Sequence, residues 1–252
     1  MKLLHCMKRR EYLEQALRTG LMFTGHDVRF APTEDPKVFA GLFEQILPLL
    51  HQKLASLGRS FDFLSEGERQ VLMMGLGAMS GSVPMICLTE VPAGRSIDVH
   101  QATFGGYGLV ISRRWVELNG GDKVLYVGHN STASRRLFLL LATLKIFSLH
   151  LGANGQVLFE NNAFRASLDL LCYVERRDYL EEAEWRQTGN PGWMGGTVAN
   201  GTRLHLPIDE IEFVLVTNDA DVKATSTLVQ ELAVKQKSKS MPKTIVFPRQ
   251  LP

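Results

Sequence analysis

The stretch Cys87–Trp115, CLTEVPAGRSIDVHQATFGGYGLVISRRW, decides how the chain is read. Val83 to Thr89 is a short apolar and β-branched run, and Pro92 and Gly94 follow where a ladder has to stop. Gly105 and Gly106 precede a second such run, Gly108 to Ser112, so both segments read as core strands. A turn or short helix between them brings His100 back toward Tyr107. Glu90, His100 and Tyr107 are thereby expected at one end of a sheet, a common place for a pocket. Each has a plainer reading. Glu90, two residues before Pro92, also suits a solvated loop carboxylate. His100 reads as an acid, a base or a ribose ligand, or as a hydrogen bond across the turn. Tyr107 reads as a stacking ring or as ordinary strand packing.

Outward from this stretch the pattern alternates between elements. Downstream, Lys123 to Val127 reads as a strand, and Asn130 or Ser131 caps a helix running to about Leu151. Leu137, Leu140, Leu141, Leu144, Phe147 and Leu151 are taken as its core face. Leu168 to Val174 and Ala183 to Thr188 read as strands, and Asn190 to Gly201 as a loop. Strands at Arg203–Leu206 and Ile211–Thr217, a helix over about Asp219–Val234 and a strand at Thr244–Phe247 complete the chain.

Upstream, Leu3 to Cys6 is a strand and Arg10 to Thr19 a helix, with Gly20 placed to cap it. A short strand at Leu21 to Phe23 and a loop over Asp27 to Glu34 come next. Pro36 to Leu57 reads as a helix that Pro48 kinks or splits. Ser65 to Met79 is another, with Ser65 and Glu68 at capping-box spacing. Helices dominate the first third and strands the rest, which favours an α+β single domain over residues 1–252. Residues 36–81 read as a helical insertion on its surface.

Composition narrows the function. Of 252 residues 45% are apolar and 21% charged, as in a globular protein with a sizeable core. A net charge of +2 is small for a dedicated nucleic-acid binder. Lys235, Lys237, Lys239 and Lys243 make a basic segment with no interleaved aromatic ring to stack on a base. The three cysteines, Cys6, Cys87 and Cys172, lie far apart, which fits reduced thiols in a cytoplasmic protein. Neither a signal peptide nor a membrane span is expected, since the most apolar run, Leu137 to Leu151, is short and carries Lys145 and His150. Dinucleotide, P-loop, zinc-protease and nucleophile-elbow signatures are all missing.

Two further places bear candidate chemistry. In Glu184–Trp185–Arg186 strand alternation puts the carboxylate and the guanidinium on one face and the indole in the core. Such a pair holds a ribose hydroxyl or stabilises a developing oxocarbenium charge, or it is a salt-bridge ladder. His5 ends the first strand, ahead of Lys8, Arg9 and Arg10. Cations at a helix N-terminus oppose the macrodipole, so the turn is either simply solvated or an anion site.

The run PMICLTEVP, then His100, then GGYGLVISRRW and DKVLYV resembles the abortive-infection family AbiGi, which is associated with phage resistance. The matching residues are Cys87, Glu90, Pro92, His100, Tyr107, Gly108, Trp115 and Val124 to Tyr126, with Glu184–Trp185–Arg186 as a later acidic-aromatic-Arg segment. The same outline is similar to the split NAD-binding fold of ADP-ribosyltransferases. That resemblance implies a mixed sheet and NAD as substrate. It gives His5 the adenine-side ribose, Tyr107 the nicotinamide and Glu184 the glycosidic bond, with His100 and Arg186 in support. Cys6 and Met7 follow His5 where that outline has a Thr. The chain is therefore expected to be either an NAD-consuming effector or a non-catalytic antitoxin that binds a companion toxin.

Overall fold

The computed structural model describes residues 2–77, 80–91, 98–128, 130–160, 170–176, 183–188 and 199–247. In chain order the elements are β1 (Lys2–Met7), α1 (Arg10–Thr19), β2 (Leu21–Met22), β3 (Thr24–Arg29), α2 (Pro36–Ser56), α3 (Glu66–Gly77), β4 (Ser80–Val91), α4 (Asp98–Phe104), β5 (Tyr107–Ile111), α5 (Arg113–Leu118), β6 (Gly121–Lys123), β7 (Leu125–Val127), α6 (Thr132–Phe147), β8 (Leu149–Leu151), β9 (Val157–Phe159), β10 (Val174–Arg176), β11 (Glu184–Thr188), β12 (Arg203–Leu204), β13 (Ile211–Val216), α7 (Asp219–Gln236) and β14 (Lys243–Val246). Helices and a mixed sheet are both present, as the sequence pattern requires.

The chain packs as two compact units. One holds Met1–His26, Pro84–Val124 and Glu181–Pro252, the other Asp27–Val83 and Leu125–Leu180. The first is built on a sheet with the path β14-β13-β5-β1-β4-β11-β6, and β3 pairs with β4 off that path. Its neighbours along the path run antiparallel except β13 and β14, which are parallel. Alternation divides the apolar residues between the faces. Leu3, Leu109, Ile111, Leu88 and Trp185 meet Leu13 and Leu17 of α1 and Leu228 and Val229 of α7 in one buried cluster. Leu4, Val110, Leu215 and Phe247 cluster on the opposite face. Gly105, at φ +116°, lets the chain pass β1, since a Cβ there would lie 2.2 Å from the Met7 carbonyl oxygen.

In the second unit α2 packs against α6. The rings of Phe39, Phe43 and Phe138 lie 5.0 to 5.7 Å apart, centroid to centroid. The unit also holds α3 and two short ladders, β7 with β10 and β8 with β9. The capping box forms: Ser65 N donates to Glu68 Oε2 at 2.9 Å, and Glu68 N donates to the Ser65 hydroxyl at 3.3 Å. The helical segment expected as an insertion shares this unit with residues 125–180.

Several elements differ from expectation. Thr24–Arg29 is a strand whose second half falls in the expected Asp27–Glu34 loop, and its only buried residue is Val28. Pro48 neither splits α2 nor ends it. The proline is exposed, so the carbonyl it leaves without a helical donor faces water, while Leu42, Ile46, Leu50 and Leu54 bury one continuous stripe. Lys123–Val127 is two strands in different sheets, divided at Val124. Trp115 lies on α5, which follows the strand directly. The expected Asn190–Gly201 loop falls mainly outside the described residues.

The largest correction concerns α6. Its buried residues are Ser134, Phe138, Leu141, Ala142, Lys145 and Ile146. Leu140, Leu144 and Phe147, expected in the core, are 52%, 45% and 61% exposed. Lys145 is buried instead, and its ammonium donates to the Gly75 carbonyl in the last turn of α3 at 3.0 Å.

Candidate functional site

Register fixes where the expected site residues stand. Met7 pairs with Tyr107 and His5 with Leu109, while Leu3 pairs with Glu90. Glu184 pairs with Thr89 and Arg186 with Cys87. Tyr107 on β5 is therefore three strands from Glu184 on β11, about 14 Å of lateral spacing before any offset along the strands. Alternation also separates them. Tyr107 packs on the α1/α7 face, with Met7 and Leu109 beneath it. Glu184 and Arg186 flank Trp185, which points into that same cluster, so both charged side chains emerge on the other face. The expected meeting of His5, Tyr107 and Glu184 in one cleft is thus not how this sheet arranges them. His100 lies in α4, and its side chain is outside the described residues.

What the sheet does assemble is four separate polar groups. The first surrounds Tyr107 at the end of β5. Its hydroxyl donates to Asp221 Oδ2 at 2.9 Å, and the Thr217 hydroxyl is 3.1 Å from both oxygens. Asn218 caps α7 by accepting from Asp221 N at 3.0 Å, and its amide donates to Asp221 Oδ2 at 3.0 Å. Arg10 donates to Asp221 Oδ1 at 3.1 Å and to Glu14 Oε1 at 2.8 Å. The Tyr107 hydroxyl, then Thr217, Arg10 and Asn218, hold the Asp221 carboxyl below its ordinary value against the effect of burial. The basic turn before α1 thus has carboxylates as partners for Arg10, and the N-terminus of α7 already holds its anion.

The second group surrounds Glu90, which is buried on β4 rather than solvated in a loop. Lys123 Nζ donates to Glu90 Oε2 at 2.5 Å. Burial alone would raise this carboxyl. Lys123, the Trp185 indole and the charge of Arg113 outweigh burial and hold it below the ordinary value. Arg113 lies over the Trp185 ring, 4.8 Å from its centroid, and pairs with Glu117 at 2.7 Å.

The third is the pair Glu184–Arg186, an ion pair at 2.7 Å in which both side chains are nearly buried. The fourth centres on His5, whose Nδ1–H donates to the Cys87 carbonyl at 2.9 Å. Burial lowers the His5 pKa, its bond to Cys87 opposes this, and the nearby His26 lowers it further, which favours the neutral ring. His26 Nε2 shares a hydrogen bond with the Thr24 hydroxyl at 2.9 Å and lies 3.9 Å from Cys87 Sγ. Burial pushes the Cys6 thiol up to about 12, so it is no nucleophile at neutral pH.

Sequence reading singled out Tyr107, Glu90, His5 and the Glu184–Arg186 pair but not their partners. Asp221 was legible only as the third residue after Asn218, a capping pattern. Lys123 and His26 carry no local signal, because register alone brings them to Glu90 and Cys87. Among the described residues no group of three or more His, Cys, Asp or Glu side chains is placed to hold a metal, and no helix is long and apolar enough to cross a membrane.

The arrangement has carboxylates that are already neutralised, spread over two faces of one sheet. No curated protein and no solved structure matches the chain. A family's sequence profile does match, over residues 62–242, from just before α3 to just before β14, and the family is described as "Putative abortive phage resistance protein AbiGi, antitoxin". The matched span carries Glu90, Tyr107, Lys123, Glu184, Arg186 and Asp221, and by that match the chain belongs to the AbiGi family.

Proposed function

We propose that this chain serves abortive phage resistance as an antitoxin, restraining a companion toxin by binding it rather than by catalysis. The observation that carries this reading is the family match over residues 62–242, whose description names an antitoxin. The site geometry agrees with it. Asp221, Glu90 and Glu184 each have a cation within 3.1 Å, the arrangement of groups that rigidify a scaffold. The test is growth. Expressed alone, the chain should leave cells viable, and coexpressed with the product of the adjacent gene it should relieve that product's toxicity and copurify with it. Arrest caused by this chain alone, and relieved by Glu184→Gln, would overturn the reading.

One observation favours the alternative of NAD-dependent ADP-ribosyl transfer. Glu184 is held in a fixed direction by Arg186 on a strand, as a carboxylate orienting a ribose hydroxyl would be. Its ligands would have to come from the Glu184 face, which excludes Tyr107 as the ring stacked on nicotinamide. Titrating NAD into the purified chain tests it: heat that disappears in Glu184→Gln supports the transferase, and no heat in the wild type removes it.

A further inference from the structure

The helix α6 carries more apolar surface than its own unit buries. One stripe, which includes Phe138 and Leu141, is fully buried. Leu137, Leu140, Leu144 and Phe147 run along the side roughly opposite, with Leu137 half-buried and the other three exposed. Their spacing of three, four and three residues is that of a heptad seam, the pattern by which one helix receives another. A solitary exposed leucine needs no explanation, whereas a seam over three turns of helix does.

The charges on α6 indicate what fits there. Arg135 and Arg136 lie at its N-terminal end, where the helix macrodipole is also positive, and the helix contains neither Asp nor Glu. A second copy laid along the seam would bring another α6 without a carboxylate. Arg136 is exposed on the side of the seam, and an acidic partner helix would complement it and the dipole.

We infer that the outer seam of α6 is the docking surface for an amphipathic helix of the companion toxin, one with apolar residues at heptad spacing and an acidic residue facing Arg136. This rests on the antitoxin reading and adds the surface to it. Leu144 and Phe147 are the anchors, since they sit mid-seam and at its end with large exposed side chains, and Arg136 sets the direction of the bound helix.

The experiment is copurification of the adjacent gene's product with four forms of this chain: wild type, Leu144→Glu, Arg136→Glu and Leu118→Glu. Leu118 is 75% exposed on α5, in the other unit, and serves as the control. Circular dichroism and thermal melts verify that each variant is folded. Leu144→Glu should weaken capture about thirtyfold or more, and Arg136→Glu about tenfold, with Leu118→Glu unchanged. Equal capture by all four forms would overturn the docking surface and leave the antitoxin reading standing. No capture by the wild type would sink both. A dimer of this chain in sedimentation, dissolved by Leu144→Glu, would give the seam to a second copy and overturn the assignment to a toxin. If Leu144→Glu melts early, Arg136→Glu decides, because its solvated side chain supports no core.

Discussion

Helices α1 and α6 divide their surfaces differently. α1 buries Leu13, Ala16 and Leu17 and turns Glu11, Gln15 and Arg18 to solvent. α6 buries an equally complete stripe and still presents Leu140, Leu144 and Phe147 to water. The first helix is wholly used by the fold. The second is used by the fold on one side only, and evolution toward a free-standing domain would have made its other side polar. Two apolar stripes on one helix therefore differ in role, and only burial tells them apart.

Substitutions put that contrast to the test. The largest effect belongs to the inner stripe: Phe138→Ala, at a side chain with no exposure, should cost about 3–5 kcal/mol in urea unfolding. A cost under about 1 kcal/mol would mean that α6 is not anchored as described. Next comes the polar end of the first unit. Tyr107→Phe removes the hydroxyl donated to Asp221 and should cost about 1.5–3 kcal/mol, as for a hydrogen bond to a charged group. Asp221 titrates below its ordinary value when folded, so the stability it contributes is full above that value and is lost as pH falls through the folded pKa. Tyr107→Phe should move the acid unfolding midpoint upward, and an unchanged midpoint would count against the network.

Lys145 gives a gentler signal. Burial lowers its pKa from 10.5 to about 8. Between those values the unfolded chain holds the proton and the folded chain has released it, so stability should rise as pH rises from about 8 toward 10.5. Lys145→Met should flatten that rise, which unfolding curves across the interval would detect. The smallest effect belongs to the outer stripe. Leu140→Ala should change stability by no more than about 0.5 kcal/mol, because little is uncovered that water did not already touch. A cost of about 2 kcal/mol would place Leu140 in the core after all.

Much of the architecture was legible because local signals agreed with it. Arg10–Thr19 reads as a helix from a narrow stripe ending at Gly20, and it is one. Ser65 and Glu68 announce a helix start at capping-box spacing, and both reciprocal bonds form. Ala183–Thr188 reads as a strand around Trp185, and Glu184–Thr188 lies on one. Reading failed where the signal was shared by two outcomes. Thr24–Arg29 has one apolar residue and no alternation to distinguish a strand from a loop. Lys123–Val127 is a continuous run ending in four apolar or aromatic residues, yet Val124 N donates to the Glu184 carbonyl and Leu125 N to the Tyr173 carbonyl, so the run serves two ladders. On α6, periodicity identified an apolar stripe and had no means of saying which of two was inside. The candidate site suffered most, because no local pattern reports register. Tyr107 and Glu184 are set apart by pairings between distant parts of the chain, such as Leu3 with Ile111 and Thr188 with Met85.

The position of β1 has a kinetic consequence. It lies between β4 and β5, yet Leu3 pairs with Glu90 and His5 with Leu109. At about 5–20 residues per second, β1 leaves the ribosome at least about 5 s before β5 exists to receive it. During that interval Leu3 and Leu4 belong to an unpaired strand, and the sheet closes only by capturing the oldest of these segments late. Such closure is slow compared with forming α1, because a loop of about a hundred residues has to be ordered before any reward is gained. The newly made chain thus passes through a stage in which β1 has no partner strand. That stage is when proteases and chaperones have their best access to it.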